Sequence, residues 1–135
     1  MIKLLLLSSL VFLGLVSVQG NDHGHIIRLA EMKDGHDYLV YQQDRNGDHM
    51  LWHKEIEPFM TKLFNFMALE NNVIIDVGAN YGTVSFPFAS KVGQNGTIYA
   101  IEASPPIFRM LEKNIRLNNY NGIVHPYNIA VTDKN

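Results

Sequence analysis

The sequence predicts an α/β fold, a Rossmann-like doubly wound parallel sheet, and three observations predict it. Val73–Val77 is a short apolar run without alternation, Thr97–Ile101 is a second apolar strand, and Ile123–Val131 reads as a third strand. Between them lie two stretches with helical apolar spacing, at about 83–92 and 104–117. Strand–helix–strand–helix–strand in that order calls for parallel strands joined by right-handed crossovers. The expected strand order is 3-2-1, ending after about three strands, with a further helix on the N-terminal side.

The chain has 135 residues, a formal net charge of −2 and no cysteine. It is long enough for one small core, held without disulfides. Its first 20 residues carry one base (Lys3), an apolar run from Leu4 to Val18 and a small residue, Gly20, at the end. That is the layout of a secretory leader, about 15 apolar residues where a spanning helix wants about 20. Cleavage after Gly20 is expected, placing the protein in the secretory pathway or outside the cell. The alternative is an N-terminally anchored membrane protein. Losing the leader removes one base and no acid and leaves −3, which is not the balance of a nucleic-acid-binding protein. No nucleic-acid partner is therefore expected, and a membrane only if the leader stays on.

Three segments follow: the leader over 1–20, an extension over 21–70, and the strand–helix unit over 71–135. Residues 21–35 read as a polar, mobile start. Tyr38–Tyr41 reads as a short strand, and Asp44–Asp48 as a turn built on Asn46-Gly47. A helix begins near Pro58, with Ile56, Phe59, Met60, Leu63, Phe64 and Met67 on one face. After Val77 a helix runs from about Thr83 to Val92, where Pro87 asks for a late start or a kink. Gly93–Gly96 is a turn. Ser104 can cap the next helix, with Pro105 at its first position and Ile107, Met110, Leu111 and Ile115 facing inward. Pro126 cannot donate to a ladder, so the third strand should be an edge, as the order 3-2-1 also requires.

The chemistry sits at the strand ends. Asp76 closes the first strand, and Gly78, Ala79, Asn80 and Gly82 follow in a loop. Glu102 closes the second strand, 20 residues after Gly82. Glycines let a ligand lie against bare backbone, and a carboxylate at the next strand end can take both hydroxyls of a ribose. A nucleoside ligand follows. A pyrophosphate does not: the spacing is Asp-x-Gly-x-Asn-x-Gly, and an acid before the loop repels phosphate.

The run from Val73 to Lys134 resembles the opening of an FkbM-type methyltransferase, a class I family that uses S-adenosylmethionine. The resemblance rests on Asp-Val-Gly-Ala-Asn-x-Gly at 76–82, Tyr-Ala-x-Glu at 99–102, Lys-Asn-Ile-x-Leu-Asn-Asn at 113–119 and Asn-x-Ala-Val-x-Asp at 128–133. It implies S-adenosylmethionine as cofactor, with Gly78–Gly82 around its methionine part, Glu102 on its ribose and Asn128–Thr132 near its adenine. It also implies methyl transfer to a hydroxyl of a sugar or other small molecule. A full class I sheet has seven strands, so the half that orients the acceptor is expected to be missing; the 135-residue chain is expected to be inactive alone even if it binds cofactor, and no catalytic residue can be named. Ala103 stands where the family has proline after the glutamate.

Other readings belong to other classes. One is a non-catalytic secreted module that keeps half a sheet for binding. Another is a nicotinamide dehydrogenase, disfavoured by Asp76 and by the missing third glycine. Asn95-Gly96-Thr97 is a glycosylation acceptor or an ordinary turn. Asp44, Asn46, Asp48 and Glu55 mimic a calcium loop, but His49 occupies its glycine position and a plain turn is expected. His36, His49, His53 and His125 show no ligand spacing and read as surface or packed residues, so no metal is expected there. Asn21-Asp22-His23 could wrap Cu(II) or Ni(II) after cleavage at Gly20.

Overall fold

The computed structural model describes residues 24–55, 62–63, 66–67 and 70–133. The leader, the Asn21-Asp22-His23 stretch and most of the helix expected over 56–67 lie outside the described residues. No helix among the described residues is long and apolar enough to cross a membrane.

The parallel sheet is as expected. β3 (Val73–Val77), β4 (Thr97–Ile101) and β5 (Val124–Tyr127) lie in the order β3-β4-β5. Ile74 pairs in register with Ile98, and Ile98 with Val124. β5 is the edge and is shorter than expected, with Pro126 opposite Ala100. α2 (Ser85–Val92) joins β3 to β4, and α3 (Pro105–Leu117) joins β4 to β5. α2 starts late, which places Pro87 in its first turn, where an N–H has no intrahelical acceptor. Ser104 stands at the N-cap of α3, but its side chain makes no capping bond.

Both helices pack on one face of the sheet, over Ile98, Ala100 and Val124. Strands added successively in one direction by crossovers of one hand keep their helices on one side. The opposite face shows Val73, Ile75, Val77, Tyr99 and Tyr127, all exposed among the described residues. Val73–Val77 was expected to be covered on both faces, and it is covered on one.

The extension departs most from expectation. Residues 27–31 form β1 (Ile27–Glu31), antiparallel to β2 (Asp37–Tyr41), so the stretch expected to be a mobile start contains a strand. Ile27 and Ala30 are buried in the core, and this pairing is nonlocal information that a polar composition hides. The turn expected at Asp44–Asp48 is the start of α1 (Arg45–His53). Asp44 is its N-cap, accepting from the backbone N–H groups of Asn46 at 3.1 Å and Gly47 at 2.9 Å. An aspartate three residues before a glycine supports a helix start as well as a turn. Gly47 is buried against the Tyr41 carbonyl, with no room for a Cβ.

The hairpin lies against the helices on the side away from the sheet, giving three layers. Tyr38 stacks on Phe86 of α2 with ring centroids 5.2 Å apart. α3 pairs with the free edge of β2 through two asparagines one turn apart. Asn114, fully buried, accepts from Leu39 N–H at 2.7 Å and donates to Leu39 O at 3.0 Å. Asn118 repeats this with Asp37, at 3.1 and 2.7 Å. The third N–H on that edge, from Tyr41, donates to the Tyr81 hydroxyl at 3.3 Å. Two amides spaced by a helical turn thus stand in for a neighbouring strand and satisfy an edge that would otherwise be left open.

Candidate cofactor site

Parallel strands bring their C-terminal ends to one rim, where β3 and β4 place Asp76 and Glu102 side by side. Both are 8 % exposed. The Ser85 hydroxyl, at the first position of α2, donates to Asp76 at 2.6 Å. Burial pushes the Asp76 carboxyl above its ordinary range, the Ser85 bonds pull it back, and the nearby Glu102 charge raises it further. Two carboxylates on one rim favour a ligand that carries positive charge.

Between them the loop turns on left-handed backbone at Gly78 (φ +86), Asn80 (φ +53) and Gly82 (φ +99). The two glycines serve different needs. A Cβ on Gly78 would meet nothing within 4 Å, so there is open space beside it. A Cβ on Gly82 would fall 2.5 Å from the Phe86 ring, so this glycine answers to packing as well as to φ.

Every N–H from 78 to 82 is already used. Gly78 and Ala79 donate to the Ile101 carbonyl at 2.8 and 2.9 Å, and Gly82 to the Ala79 carbonyl at 2.8 Å. Asn80 donates to Glu102 Oε2 at 2.9 Å, and Tyr81 to the Asn80 side chain at 2.9 Å. The loop therefore offers no cluster of free N–H groups to a phosphate, as the sequence spacing implies. Glu102 Oε1 accepts from Ser104 N–H at 2.7 Å, which leaves further acceptor positions on the carboxylate. Asp76, Gly78, Ala79, Asn80, Gly82 and Glu102 are thus brought together on one rim.

The structure adds two long-range ties that hold this rim. Asn128 donates to the Glu102 carbonyl at 2.8 Å and to the Ala103 carbonyl at 3.2 Å, fixing the turn after β4. Asn128 is expected near the adenine, and its amide holds the backbone that follows Glu102. Tyr81, fully buried, donates to Asp44 at 3.1 Å and so ties the loop to the start of α1. Burial, then the Asp44 charge, holds its phenol protonated far above the ordinary range. Neither tie follows from local spacing, since one spans 26 residues and the other 37.

The histidines divide. His36 is packed: its Nε2 lies 2.8 Å from the Tyr120 hydroxyl, and its Nδ1 is 3.0 Å from the Asp34 carboxylate in an ion-pair contact outside hydrogen-bond geometry. Burial would raise the Asp34 carboxyl, but the His36 hydrogen bonds and charge outweigh it and hold it low. His49 and His53, read as unrelated, are one helical turn apart on α1 with ring centroids 4.4 Å apart. Their spacing becomes visible only once 45–53 is known to be helix.

A family model described as the TRM5/TYW2 methyltransferase domain matches residues 54–134, more than half of the chain. The chain belongs to the TRM5/TYW2 methyltransferase family. Class I methyltransferase is therefore the right class, and FkbM-type is corrected. The motifs that suggested it are a strand-end acid, a glycine loop and a second strand-end acid, which are features of the fold rather than of one family.

A curated relative from Methanocaldococcus jannaschii, tRNA(Phe) (4-demethylwyosine(37)-C(7)) aminocarboxypropyltransferase, is 35 % identical over 63 residues, covering 47 % of this chain and 25 % of its own length. The chain thus spans a quarter of that relative. Three solved structures share the fold. P. horikoshii TYW2 in complex with MeSAdo has a TM-score of 0.56 at 21 % identity, over 78 % of this chain and 36 % of that one. M. jannaschii TYW2 in complex with AdoMet has a TM-score of 0.55 at 23 % identity, over 82 % and 45 %. Pyrococcus abyssi Trm5b has a TM-score of 0.57 at 22 % identity, over 82 % and 29 %. S-adenosylmethionine, the cofactor expected from the sequence, is the ligand carried by the M. jannaschii structure.

The expectation of no nucleic-acid partner is overturned, because the curated relative acts on tRNA. Net charge averages over a whole chain, whereas a nucleic acid meets a local surface.

Proposed function

We propose that this protein is an S-adenosylmethionine-dependent methyltransferase acting on tRNA, rather than on the hydroxyl of a sugar. The observation that carries the cofactor half is the rim itself: open space at Gly78, a loop whose N–H groups are all engaged, and two flanking carboxylates. That set refuses a pyrophosphate and suits a cationic nucleoside. Glu102 would hold the ribose, Gly78–Gly82 the methionine part, and Asp76 would supply negative charge through the rim. The bound cofactor would supply a sulfonium-activated group for transfer. The tRNA half rests on family membership and on the relative's named substrate.

The test is incubation of the chain with unmodified tRNA and S-adenosylmethionine labelled in the methyl group. Label in the tRNA would support the reading and overturn the expectation that this stretch is inactive alone. Cofactor binding with no label in any tRNA would remove the acceptor. A second reading, transfer of the aminocarboxypropyl group, is favoured by the name of the curated relative. Cofactor labelled in the carboxyl carbon distinguishes it, since only that reading moves this label. The leader over 1–20 is a separate proposal, supported by Lys3 and the Leu4–Val18 run. N-terminal sequencing that reads Asn21 in secreted protein supports it, and Met1 removes it.

A further inference from the structure

The outer face of α1 carries a feature that cofactor binding does not use. Trp52 is 83 % exposed, an unusual placement for the largest aromatic side chain. Arg45, His49 and His53 are exposed on the same helix, at spacings of four, seven and eight residues that put all four side chains on one face. Met50 and Gly47 occupy the buried face. The two imidazoles lie 4.4 Å apart, and Lys54 follows at the helix end, also exposed.

Arg45 and Lys54 bring two cations to the stripe, and the acids near it have partners elsewhere. Asp44 turns inward to cap the helix and accept from Tyr81. Asp48 accepts from Gln43 N–H at 3.1 Å, and Glu55 pairs with Lys33. Among the described residues, no acid forms an ion pair with Arg45, His49, His53 or Lys54. Positive charge interleaved with an exposed indole fits a ligand with a phosphate backbone and unstacked rings. The helix that carries the stripe is tied to the candidate site from its inner side, where Asp44 accepts from Tyr81 of the loop.

We propose that the Arg45–His49–Trp52–His53 face of α1 docks an unpaired RNA segment, with a base stacked on Trp52 and phosphates against the cations. The inference rests on the tRNA reading above and names a surface for it. Trp52 is the one tryptophan of the chain, so intrinsic indole fluorescence reports this surface alone.

The full chain is titrated with a single-stranded RNA oligonucleotide and, separately, with S-adenosylmethionine. The expected result is saturable quenching by RNA that weakens with salt. Arg45→Gln and His49→Ala with His53→Ala should each weaken RNA binding measured by anisotropy, and Trp52→Ala should weaken it about ten-fold. Cofactor affinity should stay unchanged in Trp52→Ala and in the histidine variant. RNA binding with full affinity by Trp52→Ala would overturn the docking surface while leaving the tRNA reading standing. Equal quenching by inorganic polyphosphate would overturn base stacking. Self-association abolished by Trp52→Ala, with no effect of RNA, would assign the face to a second copy of the chain and overturn the proposal. Loss of cofactor binding in the parent would instead strike the functional reading itself.

Discussion

At the scale of single residues, the candidate rim carries a cost in stability. The Asp76 carboxyl titrates above its ordinary range because burial, and then the Glu102 charge, disfavour its ionised form. A group whose folded pKa is raised costs stability above that pKa, and the cost is relieved as pH falls through it. Asp76→Asn, which can still accept from Ser85, should therefore raise Tm at neutral pH while weakening S-adenosylmethionine binding about ten-fold. Thermal melts and cofactor titration of the same protein check both signs. Asp34 behaves oppositely: its lowered pKa makes its contribution full above the ordinary carboxylate range and lost as pH falls through the folded value. The two glycines separate in the same way. Gly82→Ala meets the Phe86 ring and should cost at least about 2 kcal/mol in denaturant unfolding. Gly78→Ala meets open space and should cost only the strain of its backbone, about 1 kcal/mol.

At the scale of elements, what was legible followed from local patterns. The apolar runs ending in Asp76 and Glu102 carry strand and site in one stretch of sequence, so β3, β4 and the rim were readable together. Pro126 marked β5 as an edge and Pro87 marked the late start of α2, since each removes a donor at a known place. What was not legible depends on partners far along the chain. β1 looks like a polar tail until β2 pairs with it. Asp44 looks like a turn until its carboxylate is seen holding both the α1 N-terminus and Tyr81. Asn114 read as part of a family signature, and its physical role is to act as a strand for β2. Asn114→Ala would leave Leu39 N–H, Leu39 O and Tyr81 O short of partners in the core. It should cost about 3 kcal/mol, on the order of 10 °C in Tm, and it should loosen the hairpin first, as hydrogen exchange at Leu39 would show.

At the scale of the whole molecule, the candidate rim lies at the strand ends while one sheet face is exposed among the described residues. Val73, Ile75, Val77, Tyr99 and Tyr127 are exposed together on that face, and clustered apolar exposure favours association. Ile75→Lys should raise solubility and lower dye binding to exposed apolar surface, without touching the rim on the strand ends. The three-layer arrangement of sheet, helices and hairpin positions the loop from both sides, through β4 by Glu102 and through α1 by Asp44. The central claim is that this loop and Glu102 form an S-adenosylmethionine site. Calorimetric titration of the full chain with S-adenosylmethionine, beside Glu102→Ala and Gly78→Val, tests it most directly. The account predicts one site in the parent, with binding weakened at least about ten-fold in both variants. A folded parent that takes up no cofactor, or a Glu102→Ala variant that binds as the parent does, would contradict it.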